Sequence, residues 1–253
     1  MKITFLGTGT SQGIPVVACP CEVCHSHDSH DKRLRTSVLV ETENEIFTID
    51  AGPDFRYQML REKVTKLDAV LITHSHKDHI GGMDDVRSFN YLQRKPMDVY
   101  TAPQHQAEIK REYSYAFQEN PYPGVPEYHL IDIGEESFFV GKTKVIPLPV
   151  LHMKMEVTGF RIGNFAYITD TNYIPGSTLA QLLDCDVIVL GALRKQKHLS
   201  HYNLQEAIEV LRFLRPRQAY ITHISHLMGF HKSVSFELPS FIRLAHDRMI
   251  LNI

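Results

Sequence analysis

Short runs of β-branched and aromatic residues recur along the chain, most of them closed by Gly, Pro, Asn or Asp. They fall at Ile3–Leu6, Ser37–Thr42, Ile46–Ile49, Ala69–Thr73, Val99–Thr101, Lys144–Leu151, Thr158–Ile162, Phe165–Thr169, Val187–Leu190 and Ala219–Thr222. Glu43–Glu45 and Gly163-Asn164 have the character of hairpin connections. Helical periodicity is rarer and clearest over Asn203–Leu214. There Leu204, Ala207, Ile208, Leu211 and Leu214 share a face, Asn203 and Glu206 form a capping pair, and Pro216 follows the end. A second helix is expected from Pro103 to Phe117, with others after Asp78 and Ser177. Hairpins first, then strands alternating with helices, predict two sheets sandwiched between helices. The expectation is one α/β domain over residues 1–253 with an αββα arrangement, and 84–128 as its one long excursion.

The pattern also marks where chemistry sits. One strand ends at Thr73 and runs into His74-Ser75-His76-Lys77-Asp78-His79, followed by Gly81-Gly82. Two residues apart in extended chain, His74 and His76 point to the same side. Asp78 and His79 fall where the chain turns into a helix, aimed back at the same place, and the glycine pair lets backbone pass close by. Any one of these histidines alone is more often a hydrogen-bonded surface residue. Three imidazoles and a carboxylate within six residues are N/O donors suited to zinc, manganese or iron. Three further candidates follow β-rich runs: His152, Asp170 and His223. Strand ends in stacked sheets converge on one edge, and Asp170 with its two oxygens is a natural bridge between two cations.

Cysteine usage adds a second cluster. Three of the four cysteines lie within six residues, as Cys19-x-Cys21-x2-Cys24, and no secretory segment precedes them. This reads as metal ligation in a reducing cytoplasm rather than a disulfide framework. Three thiolates are one ligand short of a tetrahedral site, and His25, His27 and His30 are local candidates for the fourth. Cys185 stands apart as a small buried hydrophobe.

These residues resemble the metallo-β-lactamase superfamily along nearly the whole chain. The resemblance implies a four-layer αββα sandwich in which His74, His76 and His152 hold one divalent metal (zinc or manganese). Asp78, His79 and His223 would hold the second and Asp170 would bridge. Asp50, in Asp50-Ala51-Gly52, corresponds to the family's supporting carboxylate. Gly7 to Pro15, the cysteines and Gly82 to Asn90 are similar to the PhnP-type phosphodiesterases of the carbon–phosphorus lyase pathway. That likeness implies a structural zinc on Cys19, Cys21, Cys24 and His226. It also makes His201, 22 residues before His223, the group that assists the leaving alcohol. Asp78 and His201 are thus the residues expected to take part in catalysis, around a hydroxide bridging the metals.

The remaining features bear on substrate and partners. Net charge is −2, so no basic field advertises nucleic acid, and no apolar stretch suits a membrane. Arg87 fits either a phosphate grip or a surface ion pair with Asp84 or Asp85. Tyr113, Tyr115, Phe117, Tyr122 and Tyr128 fit an aromatic cover or ordinary packing. The leading expectation is hydrolysis of a small or cyclic phosphodiester by a possible homodimer. Alternatives are a ribonuclease Z-like tRNA 3′-end endonuclease, for which the long basic arm is missing, a thioesterase or lactonase, and a non-catalytic zinc-stabilised binding protein.

Overall fold

The computed structural model describes residues Met1–Ile253, and the chain folds into two seven-stranded sheets lying face to face. The first sheet holds β1 (Lys2–Gly7), β2 (Ser37–Glu41), β3 (Ile46–Ile49), β4 (Ala69–Leu71), β5 (Met97–Thr101) and β6 (Tyr128–Asp132). The second holds β7 (Phe138–Val140), β8 (Thr143–His152), β9 (Met155–Ile162), β10 (Phe165–Ile168), β11 (Val187–Gly191), β12 (Gln218–Thr222) and β13 (Ile242–Leu244). The last strand, β14 (Ile250–Asn252), returns to the first sheet and pairs antiparallel with β1. Each sheet begins as antiparallel hairpins and continues as parallel strands, through β3 to β6 in one and β10 to β13 in the other.

Burial explains the layering. The inner faces meet through Phe5, Phe47, Phe160, Phe165 and Tyr167, all fully buried. Outside the first sheet, α2 (Phe55–Arg61), α4 (Arg87–Gln93) and α5 (Pro103–Glu112) bury Phe55, Met59, Phe89 and Ile109 against Val70, Ile72 and Val99. Outside the second, α6 (Gly176–Leu182), α7 (Leu204–Leu214) and α8 (His231–Glu237) cover Ile188, Leu190 and Ile221. Each fully buried Leu, Ile or Phe contributes about 1.5–3 kcal/mol, so both sheets need both covers. The two shortest helices, α1 (Glu22–His25) and α3 (Lys77–Ile80), lie in the loops that carry the cysteine cluster and the His74–His79 motif.

Several boundaries differ from the pattern-based expectation. The helix from Pro103 stops at Glu112, because Tyr113 leaves helical geometry (φ −107°) and Ser114–Phe117 forms a separate 3-10 turn. Residues 84–128 are not an excursion from the sandwich. They supply α4, α5 and β5, which lies inside the first sheet between β4 and β6. No helix is long and apolar enough to cross a membrane.

Candidate active site

Five strands point their carboxyl ends at one place: β3 and β4 from the first sheet, and β8, β10 and β12 from the second. Such ends are where sheets of parallel strands leave room for a site. Asp50 follows β3, His74 lies three residues beyond β4, His152 ends β8, Asp170 lies just beyond β10 and His223 follows β12. Three of these residues leave their strands in left-handed backbone: Asp50 (φ 66°), Asp170 (φ 42°) and His223 (φ 56°). That conformation is costly for residues with a Cβ and clusters at functional sites. Here it turns each side chain out of its strand into the shared space.

Asp170 is common to all the groupings that result. Donor atoms of Asp78, His79, Asp170 and His223 lie within 4.8 Å of one another, as do those of His74, His76 and Asp170, and those of His152, Asp170 and His201. Its Oδ1 is 3.0 Å from His223 Nε2 and 3.3 Å from His79 Nε2, and its Oδ2 is 3.8 Å from His74 Nε2. Asp78 Oδ2 sits 3.3 Å from His79 Nε2 and 3.6 Å from His223 Nε2. His152 lies beside His76, their ring centres 5.4 Å apart, but its donor atoms group with Asp170 and His201 rather than with His74 and His76. All seven residues expected from the motif are brought together. His201 joins them, its Nδ1 4.0 Å from Asp170 Oδ2, close enough to rank as a candidate ligand, a role its sequence position did not suggest.

Hydrogen bonds fix which nitrogen each imidazole presents. Asp50 Oδ1 accepts from the Thr73 N–H (2.9 Å), and its carboxylate also accepts the Thr73 hydroxyl at 3.0 Å. With its proton so committed, Thr73 Oγ1 accepts from His74 Nδ1–H at 3.0 Å. His79 Nδ1–H donates to Asp50 Oδ2 at 2.7 Å, and His152 Nδ1–H donates to the Ser200 carbonyl at 2.6 Å. In all three rings Nδ1 makes the hydrogen bond and Nε2 is left as the nitrogen whose lone pair would serve a metal.

That lone pair is otherwise unused. The Nε2 atoms of His74, His79 and His223, and Nδ1 of His223, are buried with no hydrogen-bond partner. Orphaned buried polar atoms are costly, so three Nε2 atoms facing the Asp170 carboxylate fit a resident cation. The electrostatics agree. Burial alone would drive His79 down, yet Asp170, Asp50 and Asp78 hold its pKa well above the usual histidine value. Burial would raise Asp170, but His223, His79 and His74 hold it well below the carboxylate range. Carboxylates packed this densely demand positive charge, and divalent cations fit the donor set.

Glycines allow the backbone to close around this cavity. A Cβ on Gly52 would fall 2.0 Å from the Asp78 carbonyl oxygen, and one on Gly82 would fall 2.1 Å from that of Gly52. The turn after β3 and the helix α3 are therefore in backbone contact.

The second cluster joins Cys19, Cys21, Cys24 and His226, again with all donor atoms within 4.8 Å. His226 Nδ1 lies 3.4 Å from Cys19 Sγ and 3.2 Å from Cys21 Sγ. The His226 contact and the Cys24 N–H, which donates to Cys21 Sγ, lower the Cys21 thiol pKa to about 6, while burial raises that of Cys24 to about 11. His25, His27 and His30 lie outside the cluster; His25 Nδ1 instead contacts the Cys21 carbonyl, and His30 the Asp28 carboxylate. The cysteine loop reaches the active site through backbone: Ile224 N–H donates to Thr8 O, and Thr10 N–H to Ile224 O. Cys185 is free and buried in the core of the second half.

Of the remaining features, Arg87 forms a surface ion pair, and the aromatic residues divide between packing and exposure. Arg87 pairs with Asp84 at 3.4 Å on the surface. Tyr113 is buried, with its hydroxyl donating to the Ile80 carbonyl at 2.6 Å, and Tyr128 stacks on Phe117. Only Tyr122 of the five aromatics stands largely exposed. Thr73 and the Ser200 carbonyl were missed as supporting groups. Thr73 had a signal in its place between a strand and His74, whereas a backbone carbonyl leaves none.

Residues 46–224 match the family described as the beta-lactamase superfamily domain. An octanoyltransferase of Porphyromonas gingivalis is 36% identical over 250 residues, which is 98% of this chain and 50% of that protein. Ribonuclease Z of Methanococcus maripaludis is 26% identical over 156 residues, or 60% of this chain and 46% of that one. The chain thus spans about half the length of these curated relatives. The crystal structure of a new diphosphatase from the PhnP family superposes with a TM-score of 0.93 at 36% identity, covering 100% of this chain and 97% of that one. In fold, in the residues gathered at the strand ends and in sequence, the chain belongs to the metallo-β-lactamase superfamily and, within it, to the PhnP family.

Proposed function

We propose that the chain is a metal-dependent phosphodiesterase acting on small or cyclic phosphodiesters, with two zinc or manganese ions in the active site and a structural zinc on the cysteine cluster. The observation that carries this is the set of partnerless buried imidazole nitrogens gathered around Asp170. His74, His76, Asp78, His79, His152, Asp170 and His223 would hold the pair. When bound, two such cations acidify water and withdraw charge from a phosphoryl oxygen.

The chain's own groups do the rest. Thr73, Asp50 and the Ser200 carbonyl keep the imidazoles turned inward. His201, with Nδ1 4.0 Å from Asp170 Oδ2 and its ring stacked on that of His223, stands where it would hydrogen-bond the departing oxygen. The 36% identity to a PhnP-family diphosphatase supports phosphoryl chemistry. Four unpaired cysteines support a reducing, cytoplasmic setting.

Parallel assays of the metal-loaded chain on a nitrophenyl phosphodiester, a thioester and a precursor tRNA test the proposal. Hydrolysis of the diester that is lost in Asp170→Ala is expected. Turnover confined to the thioester, or tRNA cleavage without diester hydrolysis, contradicts it.

A further inference from the structure

One buried histidine takes no part in either cluster. His105 lies in α5 and is 3% exposed, with its ring centre 6.5 Å from that of His74. Its Nε2 is 3.1 Å from the carbonyl oxygen of Glu156 in β9. A carbonyl only accepts, so Nε2 carries the proton, and the neutral ring is left to accept at Nδ1. The partner there is the Ser75 hydroxyl, at 3.2 Å. Ser75 is the residue between His74 and His76.

We propose that His105 is a positioning residue for the metal-binding loop, tying Ser75 to β9 and so setting the directions of His74 and His76. Along extended chain the Ser75 side chain points opposite to its two neighbours. Holding it on the α5 side therefore fixes both imidazoles on the other. The rest of the surroundings act in the same sense. The Thr158 N–H of β9 donates to the Thr73 carbonyl at 3.0 Å, just before the loop. At the far end of α5, Glu112 pairs with Lys77 and the Tyr113 hydroxyl binds the Ile80 carbonyl. The loop from Thr73 to Ile80 is thus gripped from α5 and β9 together, and His105 is the α5 side chain that hydrogen-bonds both β9 and the loop.

This inference rests on His74 and His76 being metal ligands, so its test includes His74→Ala. Zinc affinity of the full chain is measured by chelator competition in wild type, His74→Ala, Ser75→Ala, His105→Phe and the double variant, beside the melting temperature of each metal-stripped chain. Outer groups that orient ligands change affinity by roughly 10–100-fold. Ser75→Ala and His105→Phe should each weaken active-site zinc at least tenfold, the double variant no more than the worse single, and the cysteine-bound zinc should be untouched. Ser75→Ala barely alters packing, so its loss of affinity should come without a matching fall in melting temperature. Wild-type affinity in Ser75→Ala, with His74→Ala losing its metal, overturns the role of His105 alone. Wild-type affinity in His74→Ala overturns the ligand assignment and this inference with it.

Discussion

Asp50 accepts from the Thr73 N–H, the Thr73 hydroxyl and His79 Nδ1, and it does so fully buried in left-handed backbone. An amide cannot replace it, because its NH2 would face groups that are all donors. Asp50→Asn should therefore weaken metal binding roughly 10–100-fold, measured by metal titration; affinity equal to wild type would remove Asp50 from the supporting set. His201 makes a different kind of contribution. His201→Ala should keep its metals yet lose turnover selectively on alkyl esters, whose departing oxygen needs a hydrogen bond, while nitrophenyl esters suffer less. Equal losses on both would contradict a leaving-group role, and loss of metal would make it a ligand. The motif His74-x-His76-x-Asp78-His79 was legible because its members are local. His152, Asp170 and His223 could be picked out because each follows a β-rich run. The left-handed turns that aim Asp170 and His223 inward leave no mark beyond residue type, and the Ser200 carbonyl leaves none at all.

At the scale of elements, the strands that pattern missed were β6, β7, β13 and β14, and these are the four sheet edges. An edge strand pairs on one side only and tolerates charged and polar residues, as in Tyr-His-Leu-Ile-Asp of β6. The missed helices α2, α4 and α8 are seven residues each, too short to establish a period. Asp54, at the start of α2, spends its carboxylate on Arg35 instead of capping the helix. α7 was legible because its capping box and apolar face agree, and both are present in the structure. Asn203→Ala should cost about 1 kcal/mol of stability, read as a lower midpoint in urea; an unchanged midpoint would mean the cap is redundant. Contact between elements is sharper still at Gly52. Gly52→Ala should push α3 away from the β3 turn and abolish metal binding, whereas Gly134→Ala, with open space around it, should bind metal like wild type. Equal behaviour of the two would show that the close approach is not needed.

Across the whole molecule, sequence order alone suggested two sheets between helices, but not which segments would complete them. Residues 84–128 carry few apolar runs, so they read as an addition, although β5 is an interior strand of the first sheet. Folding the two sheets face to face puts the ends of β3 and β4 opposite those of β8, β10 and β12, and no single segment contains enough donors for two metals. His226 shows the same dependence on fold, since it meets Cys19 and Cys21 across some two hundred residues.

On the proposed function, Asp170 holds together a two-metal phosphodiesterase site separate from the cysteine cluster. Elemental analysis of purified wild type and Asp170→Ala, paired with hydrolysis of a nitrophenyl phosphodiester, tests it most directly. Wild type should carry three metals per chain and Asp170→Ala one, retained by the cysteines, with diester hydrolysis lost. An Asp170→Ala chain that keeps all its metal and hydrolyses the diester like wild type would contradict it.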